Sequence, residues 1–344
     1  MTLHPAMLIR DLRAAMADFA EGPVRTALGA ALAPDAAVRL CHPFGTVAGP
    51  EAFFDTAYAP LLAAWPDLER RDWIVVAGRT AEGADWIGCG GHYMGTFARP
   101  FLDIPATGHL AHMRYAEFFR HEAGRIVEVQ AIWDIPEVMM DAGVWPLAPS
   151  LGREVLVPGP ASCDGLGPHD PGLTAGTRAT VIAMLEAMVR HPDAPPEAME
   201  LPRFWHPRMM WYGPAGIGSA RGIEGFRRWH QIPFLAAMPD RGKYPAETKG
   251  HYFAEGAYAA VTGWPDMAQT LTGGGWLGLP PTGSHITLRS LDFWRLERGL
   301  IRENWVLVDL LHAMDQIGLD AFARLCEMNR VRPGFDPETG RALP

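Results

Sequence analysis

The chain has 344 residues, 48% of them hydrophobic and 20% charged, a length and balance that suit two soluble globular domains, each burying its own core. A formal net charge of −9 and a pI near 5.8, with no lysine- or arginine-rich run, argue against the basic face that a nucleic-acid partner requires. Arg10, Asp11, Arg13 and Asp18 interrupt what would be a signal-peptide core, and no uncharged apolar run reaches the length of a membrane span, so a cytoplasmic protein without a membrane partner is expected.

In chain order, Leu8, Leu12, Met16 and Phe19 recur at helical spacing within residues 7–20 and predict an amphipathic helix. A second helix is expected in the Phe53 to Ala64 stretch, followed by several strands. From Ile104 the chain reads IPATGHLAHMRYAEFFRHEAGRIVEVQAIWDIPEVMMDAG, a turn, a strand, a polar turn at Gly124, a second strand ending on Asp134, and a short helix. Trp145 to Gly172 is rich in proline and glycine and reads as a linker, with Val155 to Val157 able to pack as a short edge piece.

Beyond the linker the pattern repeats. Arg178 to Arg190 carries Val181, Leu185, Met188 and Val189 on one side, with Thr174 or Thr177 as a cap. Gly218 to Asp240 matches Gly45 to Asp67 at 10 positions, and Leu279 to Gly318 matches Ile104 to Gly143 at 13 of 40, where average usage gives about two or three by chance. This is an internal duplication. The offset rises from 173 to 175, which places a net two-residue insertion between about Met267 and Leu279, near Gly273-Gly274-Gly275. The expected organisation is a first domain over 1–145, a linker over 146–172, a second domain over 173–327 and a tail over 328–344 that drapes or frays. Strands that follow helices, with hairpin-like turns between them, favour α+β with antiparallel sheets over a parallel array.

The pattern from Trp211-Tyr212-Gly213-Pro214 to Phe226, the FLAAMPD run, the LPPTG turn and the DFWR strand with its Asn304-Trp305-Val306 to Asp309 ending resemble the SnoaL-like polyketide cyclases. These belong to the nuclear transport factor 2-like superfamily. The resemblance covers about 140 residues in each half and is stronger in the second. It implies two tandem cones, each a curved antiparallel sheet roofed by helices around a pocket. It also implies a small apolar or polyketide-like ligand, no metal or organic cofactor, and aldol chemistry with an aspartate as acid/base. Two units in one chain would imitate a family dimer, with a homodimer of chains left open. The second copy departs from the pattern: His92 precedes the turn in the first copy, but its possible counterparts, Pro265 and Leu271, are not histidine.

Strand periodicity places Glu303, Trp305, Leu307 and Asp309 on one face, and Glu128, Gln130, Ile132 and Asp134 on the equivalent one. Asp309 and Asp134 are thus candidate pocket acids, with Asp309 the first choice, and helix caps are the alternative reading. Asp292 and Glu117 match in the preceding strand as second acids, or as salt-bridge partners of Arg114/Arg289 or Arg120/Arg295. His92 is a candidate for polarising a carbonyl. Tyr115, Trp211, Tyr212, Trp264, Trp294 and Trp305 are the candidate substrate-binding aromatics, though packing is an ordinary use of such residues.

No GxGxxG or GxxxxGK[ST] element and no HExxH spacing is present, so neither a nucleotide nor a metal site is expected. Cys41, Cys89, Cys163 and Cys326 form no CxxC pair and read as structural thiols. Two functions follow: an enzyme performing cyclisation or isomerisation by general acid/base chemistry, or a module that holds a hydrophobic molecule without turning it over. Acids retained in both copies favour the first, and the missing second histidine favours the second.

Overall fold

A computed structural model describes residues 4–191 and 193–343, so the extreme ends of the first domain and of the tail lie outside the described residues. The first unit contains β1 (Leu32–Leu40), β2 (Thr46–Ala48), β3 (Glu69–Arg79), β4 (Asp85–Thr96), β5 (Leu110–Glu122) and β6 (Arg125–Trp133). The second contains β7 (Trp205–Tyr212), β8 (Ala220–Arg221), β9 (Gly250–Glu255), β10 (Tyr258–Thr270), β11 (His285–Glu297) and β12 (Leu300–Val308). The sheet orders are identical, β2-β1-β6-β5-β4-β3 and β8-β7-β12-β11-β10-β9, with β1·β6 and β7·β12 the parallel pairs and the rest antiparallel. The duplication read from the sequence is therefore a duplication of fold, two α+β cones in one chain.

Helices roof each sheet. The predicted opening helix is shorter than expected, Arg10–Ala17, with Leu12 and Met16 buried, and a second helix, Glu21–Ala31, follows it. Pro23 concealed that second helix in the sequence, yet in a first turn its missing N–H costs nothing. The counterpart in the second cone runs Thr174–Met188. The helices over the two cones carry a π-helical turn at equivalent places, Phe54–Tyr58 and Arg227–Gln231.

The cones pack sheet against sheet. Phe118 meets Phe293 with ring centroids 5.1 Å apart, Trp73 meets Trp305 at 5.7 Å, and Thr262 donates to Gln130. Gly88 and Gly90 admit the Phe293 ring, since a Cβ on either would lie 3.0 to 3.1 Å from it. The linker closes the rim of this junction. Val157 is buried, Trp305 donates its indole N–H to the Pro158 carbonyl at 2.9 Å, and the Val75 N–H reaches the Gly165 carbonyl at 2.8 Å. The tail crosses back to the first cone, where Asn329 donates to the Asp103 carbonyl.

The two extra residues of the second copy lie upstream of the expected place. Gly91 pairs with Tyr115 and Tyr93 with Met113, leaving only His92 between them. In the second cone Gly263 pairs with Ser290 and Met267 with Leu288, the same two positions of the partner strand, and Trp264, Pro265 and Asp266 lie between. The insertion is a bulge within β10, where His92 stands in the first copy.

Candidate active site

Strand alternation decides which side chains look into each cone. On β12 the inward face carries Asn304, Val306 and Val308, and on β11 it carries Ser290, Asp292 and Trp294; all of these line a cavity in the second cone, roofed by Met184 and Met188. Trp211, Trp276 and Phe226 complete its apolar wall. This chamber is a waist of about 90 Å³. It adjoins a vestibule of about 470 Å³ at Ile217, His230 and Trp276, and on its other side a chamber of about 300 Å³ with which it shares Arg241, Ser290 and Asp292.

The acids of the inner chamber come from the β10 bulge and from β11. Asp266 folds back over Gly263: a Cβ on that glycine would lie 2.0 Å from the Asp266 Cβ. Asp266 accepts the Ser290 N–H at 3.0 Å and the Ser290 hydroxyl at 2.6 Å. Desolvation is the largest influence on it and pushes its pKa up to about 7, against the opposing pull of Ser290 and Arg241. Asp292 is raised well above the usual carboxylate range by desolvation and then by the nearby Asp266, and its Oδ1 has no hydrogen-bond partner. One carboxyl with two donors and one with a bare oxygen, in the same chamber, have environments that separate their protonation states. His230 stacks flat on Trp211, with centroids 4.1 Å apart, and desolvation drops its pKa to about 3.

The first cone has the same skeleton with its interior filled. Glu117, the counterpart of Asp292, is fully buried and accepts from Arg70 at 2.6 Å, Tyr93 at 2.7 Å, the Trp133 indole at 3.0 Å and Tyr58 at 3.2 Å. The corresponding positions in the second cone hold Met267 for Tyr93, Val308 for Trp133, Gln231 for Tyr58 and Ser290 for Tyr115. Four large aromatics become smaller or aliphatic residues. That exchange opens the cavity and removes from the acid the counterparts of three donors, Tyr58, Tyr93 and Trp133.

The sequence-based candidates divide accordingly. Asp292, Trp211 and Trp294 come together in the second cone. The salt bridges considered for Asp292 do not form, because Arg289 pairs with Asp309 and Arg295 with Glu303. Glu117 and Tyr115 fill the first cone, and the partner of Glu117 is Arg70 rather than a neighbour on its own strand. Trp264 sits on the bulge under the Arg289 guanidinium. Tyr212 and Trp305 stack on each other, and Trp305 meets Trp73 of the first cone at the junction. His92 faces the same junction, accepts from the Trp73 indole at 3.2 Å, and is held by desolvation at a pKa of about 3.

Asp309 and Asp134 are not cavity residues. Each sits at the junction, paired with the arginine of its own cone, Asp309 with Arg289 at 3.2 Å and Asp134 with Arg114 at 2.9 Å. Each also accepts a backbone N–H from the opposite cone, Asp309 from His42 and Asp134 from Ala215, both at 3.0 Å. His42 and Ala215 are themselves equivalent positions, so the two contacts repeat about a pseudo-twofold axis. Asp309 additionally caps the helix Leu310–Gln316 through the His312 N–H, while Asp134 makes no such cap. Asp266, Arg241 and His230 were missed from sequence. The signal for the first was Pro265, since a proline inside a central strand marks a bulge.

The SnoaL-like polyketide cyclase family matches residues 10–141 and 196–317, which is one match per cone. Among solved structures, IdmH from Streptomyces antibioticus is 22% identical with a TM-score of 0.35 over 41% of this chain and 99% of its own. TsrD from Streptomyces laurentii is 26% identical with a TM-score of 0.33, over 41% and 96%. An NTF2-like protein from Burkholderia thailandensis is 22% identical with a TM-score of 0.32, over 40% and 97%. Comparison with curated proteins finds no match.

Proposed function

The chain belongs to the SnoaL-like polyketide cyclase family, and from the geometry of its second cone we propose that it carries out general acid/base chemistry there on a small, mostly apolar carbonyl compound of polyketide type. The observation that carries this reading is the pair Asp266 and Asp292. One carboxyl is tied to two donors and the other has a bare oxygen, and both line the inner chamber beside the tryptophan-lined waist.

In this reading Asp266 is the base, because the Ser290 donors favour its ionised form, and Asp292 is the acid, because desolvation keeps it protonated. Asp266 takes a proton from the carbon beside the substrate carbonyl. The C–H electron pair forms the enol double bond as Asp292 delivers its proton to the carbonyl oxygen. The enol carbon attacks a second carbonyl of the same molecule and closes a ring. Asp266 gives its proton to the new alkoxide, and Asp292 recovers the enol proton. Return of the proton to a different carbon, without ring closure, is isomerisation by the same pair. The first cone, with its acid already satisfied, supports the second and turns nothing over.

Poly-β-carbonyl compounds that raise the melting temperature, followed by product analysis, test the proposal. Asp292→Asn and Asp266→Asn should each cut turnover by roughly 10²-fold or more, the scale for removing a general acid or base. Tight binding with no product at any pH would instead make the second cone a holding module.

A further inference from the structure

Arg241 stands in the inner chamber without a partner. Its guanidinium forms no hydrogen bond or ion pair with any described residue, and it lies over the Phe234 ring with the guanidinium carbon 5.9 Å from the centroid. Desolvation pulls its pKa down, so the folded chain holds this cation at a cost. Both acids of the chamber attract it, but neither forms an ion pair with it: Asp266 turns its oxygens to Ser290, and Asp292 leaves Oδ1 bare. A guanidinium with five N–H donors in a fixed fork therefore lines the chamber with no protein acceptor supplied to it.

The chambers to either side of the waist have different chemistry. The vestibule is rimmed by exposed Leu151 and Trp229 and by the Gly274-Gly275 loop. The inner chamber carries Arg241, both aspartates and Tyr252, and reaches the surface past Pro245. A ligand spanning the waist would place apolar bulk among Trp211, Trp276 and Trp294, and its end at Arg241. The roof residues Met184 and Met188 can adjust to a flat body, since methionine has flexible rotamers.

Building on the acid/base reading, we infer that the second cone takes an amphipathic ligand whose apolar ring body fills the waist and whose oxyanion, a carboxylate or an ionised enol, is bound by Arg241 in the inner chamber. A protonated Asp292 gives the same oxyanion a second donor. The substrate class narrows accordingly, from any apolar carbonyl compound to one with an acidic or enolisable terminus.

The test uses a matched pair of probes on the full chain, 2-naphthoate and 2-naphthamide, titrated calorimetrically. They share the ring body and differ in charge. Naphthoate should bind the wild type roughly tenfold or more tightly than naphthamide, the scale of a charge-assisted hydrogen bond. Its affinity should fall between about pH 6 and about pH 8 as Asp266 ionises beside it. In Arg241→Met the advantage of naphthoate should vanish while naphthamide binds as before. Because the substitution removes an unpartnered cation, the variant should melt at or above wild type, which also reports that it folds. Equal affinities in the wild type, a preference that survives in Arg241→Met, or no binding of naphthoate would each overturn the oxyanion site. Because none of these measurements involves turnover, their failure leaves the acid/base reading to be decided by Asp292→Asn.

Discussion

Asp309 accepts the backbone N–H of His42 at 3.0 Å across the junction between the two cones. The same carboxylate pairs with Arg289 and caps the helix Leu310–Gln316, so three donors depend on it. Asp309→Ala should therefore cost roughly 2–4 kcal/mol, the range for stranding desolvated donors and a charge partner. Ligand affinity in the second cone should hold. Denaturant unfolding beside probe titration checks both statements, and a stable variant with lost turnover would return Asp309 to the catalytic list.

Much of the fold was legible because turns and core strands repeat with the duplication: the Pro-Thr-Gly turns, Gly124 and Gly299, and the strands that end at Asp134 and Asp309 all recur. The site was less legible for a physical reason. A one-sided sheet marks its core face by apolar alternation, but β12 is covered on both faces, by the cavity and by the other cone. The face bearing Trp305 and Asp309 is as apolar as the one bearing Val306 and Val308, and nothing in the pattern says which encloses a ligand. Asp266 was hidden by alignment: matching the copies put the two extra residues in the glycine-rich loop, whereas strand register puts them in the bulge.

Gly263 is the residue that permits this bulge. Its missing Cβ leaves the space that the Asp266 Cβ occupies, so Gly263→Ala must push Asp266 away from Ser290. The expected outcome is a stability loss of about 1–3 kcal/mol, typical of overpacking, together with a fall in turnover close to that of Asp266→Asn. Turnover at the wild-type level would show that the position of Asp266 does not matter to the chemistry.

Asp266 also predicts a direction for stability against pH. Folded, it keeps its proton up to about 7; unfolded, it releases it in the ordinary carboxylate range near 4. Between those limits the native state holds the extra proton, so this contribution to stability is full below about pH 4 and is lost as pH rises through about 7. Asp266→Asn should melt higher than wild type at about pH 8 and gain less, or nothing, at about pH 4. Equal differences at both pH values would mean that the carboxyl ionises normally in the folded chain. Turnover should rise through about 7 as the base ionises and fall again once Asp292 loses its proton, a bell whose limbs belong to the coupled pair.

The contrast between the cones supplies the last prediction. Trp133 fills the first cone and donates its indole N–H to Glu117 at 3.0 Å, while Val308 at the equivalent position leaves the second open beneath Asp292. Val308→Trp should rebuild the filled arrangement. The indole would occupy the waist and give Asp292 the donor it lacks, which favours the ionised acid and lowers its pKa. Binding of 2-naphthamide and turnover should both be lost. Stability should change by less than about 3 kcal/mol, because the fold already accommodates tryptophan there in its first copy. Far-ultraviolet circular dichroism and a melting curve establish that the variant is folded. A folded Val308→Trp chain that still binds naphthamide and turns over at the wild-type rate would place the reaction outside this cavity.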